Sequence, residues 1–143
     1  MELRPVDSSN YTSLEYILLG DLRELLEEPV NSESRRWMLS VLDGLLENLL
    51  PEGEHDADGS YMEDVLERFP NWSGQIERLY HDHDELFTRL KELRGRIERD
   101  EWIAPLANLV RRELRDWMLS LIAHRRRETR LLQTAMNLDV GGE

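Results

Sequence analysis

Histidine and carboxylate side chains placed where a helix calls for apolar residues are the chemically suggestive feature of this sequence. In the series Trp72, Ile76, Leu79, His83, Leu86, Leu90, Leu93, Ile97, the steps alternate between four and three residues, and His83 takes an apolar place. In the series Leu106, Val110, Leu114, Trp117, Leu121, His124, Glu128, Leu131, Ala135, two consecutive apolar places go to His124 and Glu128. Residues four apart on a helix point the same way. Earlier in the chain, Met38, Leu42, Leu45 and Leu49 extrapolate to Glu52 and Asp56, with His55 beside them, provided that the helix continues through Pro51. Asp21 lies beside a further apolar stripe, with its direction unsettled. A carboxylate is costly to bury unless it is paired or coordinates a metal. Imidazole nitrogen and carboxylate oxygen are ligands that iron, manganese and zinc accept. His83, His124, Glu128, Asp56, Glu52, His55 and Asp21 are therefore the candidate metal ligands. The competing reading is a hydrogen-bonded core histidine at His83 and a buried ion pair between His124 and Glu128.

The elements that would position these residues are helices. Thr12 and Glu15 have capping-box spacing, which predicts a helix from about residue 13, after a lead-in over 1–11. Its apolar face is Leu14, Ile17, Leu18, Leu22 and Leu25, and Pro29 ends it. A second helix starts near Ser32, carries Trp37, Met38, Val41, Leu42, Leu45 and Leu49, and meets Pro51, which ends or kinks it. Residues 51–60 are expected to be irregular. Ser60 and Glu63 repeat the capping spacing and predict a short helix to about Phe69, stopped by Pro70. A third long helix is expected from Ser73 to about Glu98, and a fourth from Trp102 or Pro105 to Met136, before a loose end at Gly141-Gly142. The 4–3 spacing is that of a left-handed helical seam. The expectation is one all-α domain over 1–143: an antiparallel up-down four-helix bundle with a short extra helix between the second and third long helices.

Composition sets the outer limits. The formal net charge is −12, and contact with phosphate needs a basic surface, so nucleic acid is not the expected partner. Arg111, Arg112, Arg115, Arg125, Arg126, Arg127 and Arg130 read as a basic outer face pairing with neighbouring helices. The four Trp residues read as packing. There is no cysteine, which removes thiolate ligands and disulfides. No signal-peptide pattern and no long apolar run is present, so a cytoplasmic location away from the membrane is expected. Self-association into a homodimer is left open.

The sequence resembles the hemerythrin-like cation-binding family from Leu18 to Gly142. The residues that carry the resemblance are Asp82-His83-Asp84-Glu85-Leu86, His124-Arg125-Arg126-Arg127-Glu128, and the tail from Leu131 to Gly142. Asp58-Gly59-Ser60-Tyr61-Met62 followed by Pro70 adds to them. The resemblance implies non-haem iron, mono- or dinuclear, held between four helices, in a domain that senses, stores or binds a small diatomic ligand. By the family pattern, His124 and Glu128 match the fourth-helix pair. His83 matches one third-helix histidine, while Leu79 stands where the other is usual. Glu52 and Asp56 have the second-helix spacing, and Asp21 stands where the first helix usually has His. These departures imply a carboxylate-rich site, a single metal, or a bundle that has lost its metal.

Three function classes follow. The first is a metal-binding domain and the second a metal-free interaction module. The third, an enzyme of the ferritin-like di-iron kind, needs Glu-x-x-His on two helices; only Glu52 to His55 has that spacing. No nucleophile constellation or glycine-rich phosphate loop is present, so no enzyme is indicated.

Overall fold

The computed structural model of the protein describes residues 3–50 and 66–141, with side chains from 13 to 50 and from 66 to 137. All regular structure among these residues is helical: α1 (Leu3–Leu25), α2 (Ser32–Asn48), α3 (Ser73–Arg99) and α4 (Ala104–Gly141). Helical residues 66–68 and a 3-10 turn at Pro70–Trp72 lead into α3.

The helix ends follow from local chemistry. α1 begins at Leu3 rather than near residue 13. Pro5 is no obstacle there, because a first-turn residue has no intrahelical use for its amide hydrogen. Thr12 is thus inside the helix and not its cap. α2 opens with a reciprocal cap: the Ser34 amide donates to Asn31 Oδ1 at 2.8 Å, and Ser34 Oγ lies 3.3 Å from the Asn31 amide that donates to it. It closes at Asn48, ahead of Pro51, which disfavours helical backbone at the residue before it. The phase of α2 therefore does not run on to Pro51. Glu52, His55, Asp56, the expected irregular stretch over 51–60 and the start of the short helix lie outside the described residues. α4 extends to Gly141, past the expected end at Met136.

Neighbouring helices run in opposite directions wherever their contacts can be followed. From α3 to α4, Arg96 meets Glu113 at 2.9 Å, and the Trp117 indole N–H donates to the Leu86 carbonyl at 2.9 Å. From α2 to α3, Arg35 donates to the Ile97 and Glu98 carbonyls at the far end of α3. From α1 to α2, Asn48 donates to Glu15 at 3.0 Å, and Leu18 packs over Gly44. From α1 to α4, Arg125 pairs with Glu15, and Arg111 and Arg115 donate to the Leu26 carbonyl.

The core falls into two apolar clusters. The larger includes Leu22, Leu26, Met38, Leu42, Leu45, Leu90, Ile97, Leu114, Trp117 and Leu121. The smaller holds Ile76, Leu79, Leu131 and Ala135. Several expected core residues lie outside both. Leu14 and Ile17 are exposed, as are Trp37 and Leu106. In α1 the buried line is Glu15, Leu22 and Leu26, one residue out of phase with the expected face. In α4, Ala107 is buried in place of Leu106, because the smaller side chain fits where α4 begins to pack. Two of the expected outer arginines are not outer. Arg111 is buried and donates to the Leu26 and Glu28 carbonyls, capping α1. Arg125 reaches inward to Glu15. Each follows a stripe residue by one position and so faces α1.

Candidate metal centre

α3 and α4 bring two imidazoles together between the apolar clusters. The ring centroids of His83 and His124 are 5.8 Å apart, tilted by 58°. His83 Nε2 lies 3.0 Å from the Leu49 carbonyl at the end of α2. A carbonyl can only accept, so Nε2 carries the proton, and in the neutral ring Nδ1 keeps the lone pair. The ring is thereby held by backbone, which is how metal-binding histidines are commonly oriented.

His124 is fully buried, and neither ring nitrogen has a hydrogen-bond partner among the described residues. Burial lowers its pKa to about 4, with Arg125, His83 and Arg127 adding to the effect and Asp82 opposing it. The ring is therefore neutral at pH 7. One buried N–H and one buried lone pair are left unanswered, each costing on the order of 1–3 kcal/mol. Glu128 Oε2 is 4.0 Å from Nε2, too far for a hydrogen bond.

Glu128 is engaged elsewhere. Its Oε1 accepts from Arg125 Nη1 at 2.8 Å. The same guanidinium donates to both oxygens of Glu15, at 3.0 and 2.9 Å. Burial alone would lower the Arg125 pKa; its hydrogen bonds to Glu15 and the charge of Glu128 outweigh it and raise it. Asn48 donates to Glu15 as well. Sequence reasoning missed Glu15, Asn48 and Arg125. The signal for Glu15 was its position seven residues before Leu22, on the same buried line.

Asp21 is exposed on α1 and takes no part in the contacts that join His83, His124 and Glu128. His81, off the α3 stripe, pairs at the surface with Glu85 at 3.3 Å. Among the described residues, no group of three or more His, Cys, Asp or Glu side chains is arranged to hold a metal ion. What α3 and α4 supply is two imidazoles and one carboxylate that would have to leave Arg125 to become a ligand. Leu49 and Leu50, which lead directly to Glu52, His55 and Asp56, end beside His83.

No family model, no curated protein and no solved structure matches the chain. Among the described residues, no helix is long and apolar enough to cross a membrane.

Proposed function

We propose that the protein is a hemerythrin-like metal-binding domain built as an antiparallel up-down four-helix bundle, with iron as the metal and His83, His124 and Glu128 as the α3–α4 share of its ligands. The observation that carries this reading is His124: a fully buried imidazole with both nitrogens unanswered, facing a second imidazole that backbone holds in place. Buried polar groups without partners are rare in folded proteins, and an ion is one of the few things that explains them. Iron bound there would supply a site for a small diatomic ligand or for redox sensing. This chain's part is to orient His83 through the Leu49 carbonyl and to exclude water around His124. Glu52, His55 and Asp56 are the further candidates, because the chain leading to them ends beside His83.

A second reading has its own support. The guanidinium of Arg125 already pairs with both Glu15 and Glu128, so a fixed cation stands where carboxylates would otherwise invite a metal. That favours a metal-free bundle serving as an interaction module. Elemental analysis and an absorption spectrum of freshly purified, chelator-free protein separate the two. Bound iron that disappears in both His83→Ala and His124→Ala, with helical content kept, supports the first. Protein free of metal, which also fails to take up Fe(II) under anaerobic titration, leaves the second.

A further inference from the structure

α1 and α4 are joined through Arg125 on Glu15 and through Arg111 and Arg115 on the Leu26 carbonyl, and their joint outer face carries large apolar side chains in solvent. Tyr16 is 80% exposed and Leu119 66%. Isolated exposed apolar residues are ordinary, but a cluster ringed by charge marks a contact surface. The helical phase places them together. With Glu15, Leu22 and Leu26 buried, Tyr16, Gly20, Glu24 and Glu27 turn outward on the α4 side of α1. With Leu114, Trp117 and Leu121 buried, Arg112, Arg115, Leu119 and Arg126 turn outward on the α1 side of α4. A Cβ added at Gly20 would meet no atom within 4 Å, so the surface there is open and low. Arg112 and Arg126 are exposed and make no ion pair among the described residues.

We infer that this face is the interface of a homodimer, its occupant being the same face of a second copy of the chain. The charges choose the arrangement. The α1 half of the face carries Glu24 and Glu27 with one cation, Arg23, and the α4 half carries Arg112, Arg115 and Arg126. Contacts within the chain set the heights: Glu15 is level with Arg125, and Leu26 with Arg111 and Arg115. Gly20 is therefore level with Leu119, Glu24 with Arg115, and Glu27 with Arg112. A two-fold axis parallel to the helices lays α1 of one copy over α4 of the other at the same heights. Leu119 of each copy then seats on Gly20 of the other, and Glu27 comes level with Arg112, unpaired among the described residues, while Arg115 stays with the Leu26 carbonyl and Glu27 of its own chain. An in-plane axis across the helices would stack α4 on α4 and set arginines against arginines, which opposes association. A two-fold interface uses one patch twice, so the patch has to complement itself, and an acidic strip beside a basic strip does so. Two helices each about 10 Å across, over the rise from Arg112 to Gln133, present roughly 640 Å² in projection. That approaches the ~800 Å² per partner of a standard interface.

Light scattering on the full chain after size-exclusion chromatography tests this independently of any metal. The wild type should have twice the 16.9 kDa mass of one chain. Leu119→Arg should give the single-chain mass with unchanged helical circular dichroism, since the position is exposed. Arg112→Glu should weaken dimerisation by roughly tenfold or more, the effect of a like-charge contact. Adding Glu27→Arg to the same chain should restore it. A wild type at the single-chain mass overturns the inference. So does a dimer that survives Leu119→Arg, which would assign association to another surface such as Ile103, Leu106 and Leu109.

Discussion

The two halves of the α3–α4 seam use the same spacing to different ends. From Leu86 to Ile97 and from Val110 to Leu121, the places that face across the α3–α4 seam are apolar and the packing is dry, with the one polar atom of Trp117 answered by the Leu86 carbonyl and buried Arg111 turned to α1 instead. One helical turn further along, the inward places belong to His83, His124 and Glu128, flanked by Arg125 and Glu15, before apolar packing resumes at Ile76, Leu79, Leu131 and Ala135. The dry half gains by burial alone. The polar half must find a partner for every atom it buries, and it does so for Glu15 and Arg125 but not for His124. A buried group without a partner calls for an explanation other than stability.

The contrast can be pressed by substitution. The largest effect is expected in the dry half: Trp117→Ala should cost about 3–5 kcal/mol in urea unfolding, from the cavity left by a fully buried indole. A loss below about 1 kcal/mol would mean that this half is not close-packed.

In the polar half the expected signature is a dependence on pH. His124 is held neutral, with its pKa lowered from 6.5 to about 4. As pH falls, the unfolded chain takes up a proton near pH 6.5, and the folded chain does not until about pH 4. Metal-free protein should therefore keep the full contribution above pH 6.5 and lose up to about 3 kcal/mol as pH falls through that window. His124→Leu should flatten that part of the stability profile, and an unchanged profile would place His124 in contact with water.

Arg125→Met should cost about 2–3 kcal/mol, because it leaves Glu15 nearly buried and without its cation; the remaining exposure of Arg125 reduces the loss below that of a fully buried pair. Glu15→Gln in the same chain should recover more than half of it. A double-mutant cycle with no coupling would remove the clamp from the account. The smallest effect is expected where α1 and α2 approach closely. Gly44→Ala gains helix propensity of about 1 kcal/mol, and its Cβ would lie 3.2 Å from Leu18 Cδ1. Calorimetry should show a net change under about 1 kcal/mol.

How far these features are legible in the sequence depends on whether their cause is local. The α3 stripe could be read because each turn contributes one apolar residue to one line, and His83 stands out against it. α1 could not be read as cleanly. Leu14, Ile17, Leu18, Leu19, Leu22, Leu25 and Leu26 offer two overlapping apolar faces, and the choice between them is made by Glu15, whose partner Arg125 is supplied by α4. A charge next to a stripe usually extends into solvent, so the sequence alone places Arg111 and Arg125 at the surface. Their inward roles depend on carbonyls and carboxylates that only the packed helices bring near. His124 and Glu128 were legible as breaks in a period, but the 4.0 Å between them and the preference of Glu128 for Arg125 belong to side-chain geometry that no spacing encodes.

The central claim is that the polar half of the seam is a metal site. A crystal of chelator-free protein, loaded with Fe(II) under nitrogen and measured at the iron absorption edge, tests it most directly. The expected result is an anomalous peak between His83 and His124, with a His124 ring nitrogen about 2.0–2.2 Å from it, the range of first-row metal–imidazole bonds. Glu128 should have turned from Arg125 toward the metal. An absence of anomalous density there, with the His124 ring hydrogen-bonded to Glu128 or to a buried water, would contradict the claim.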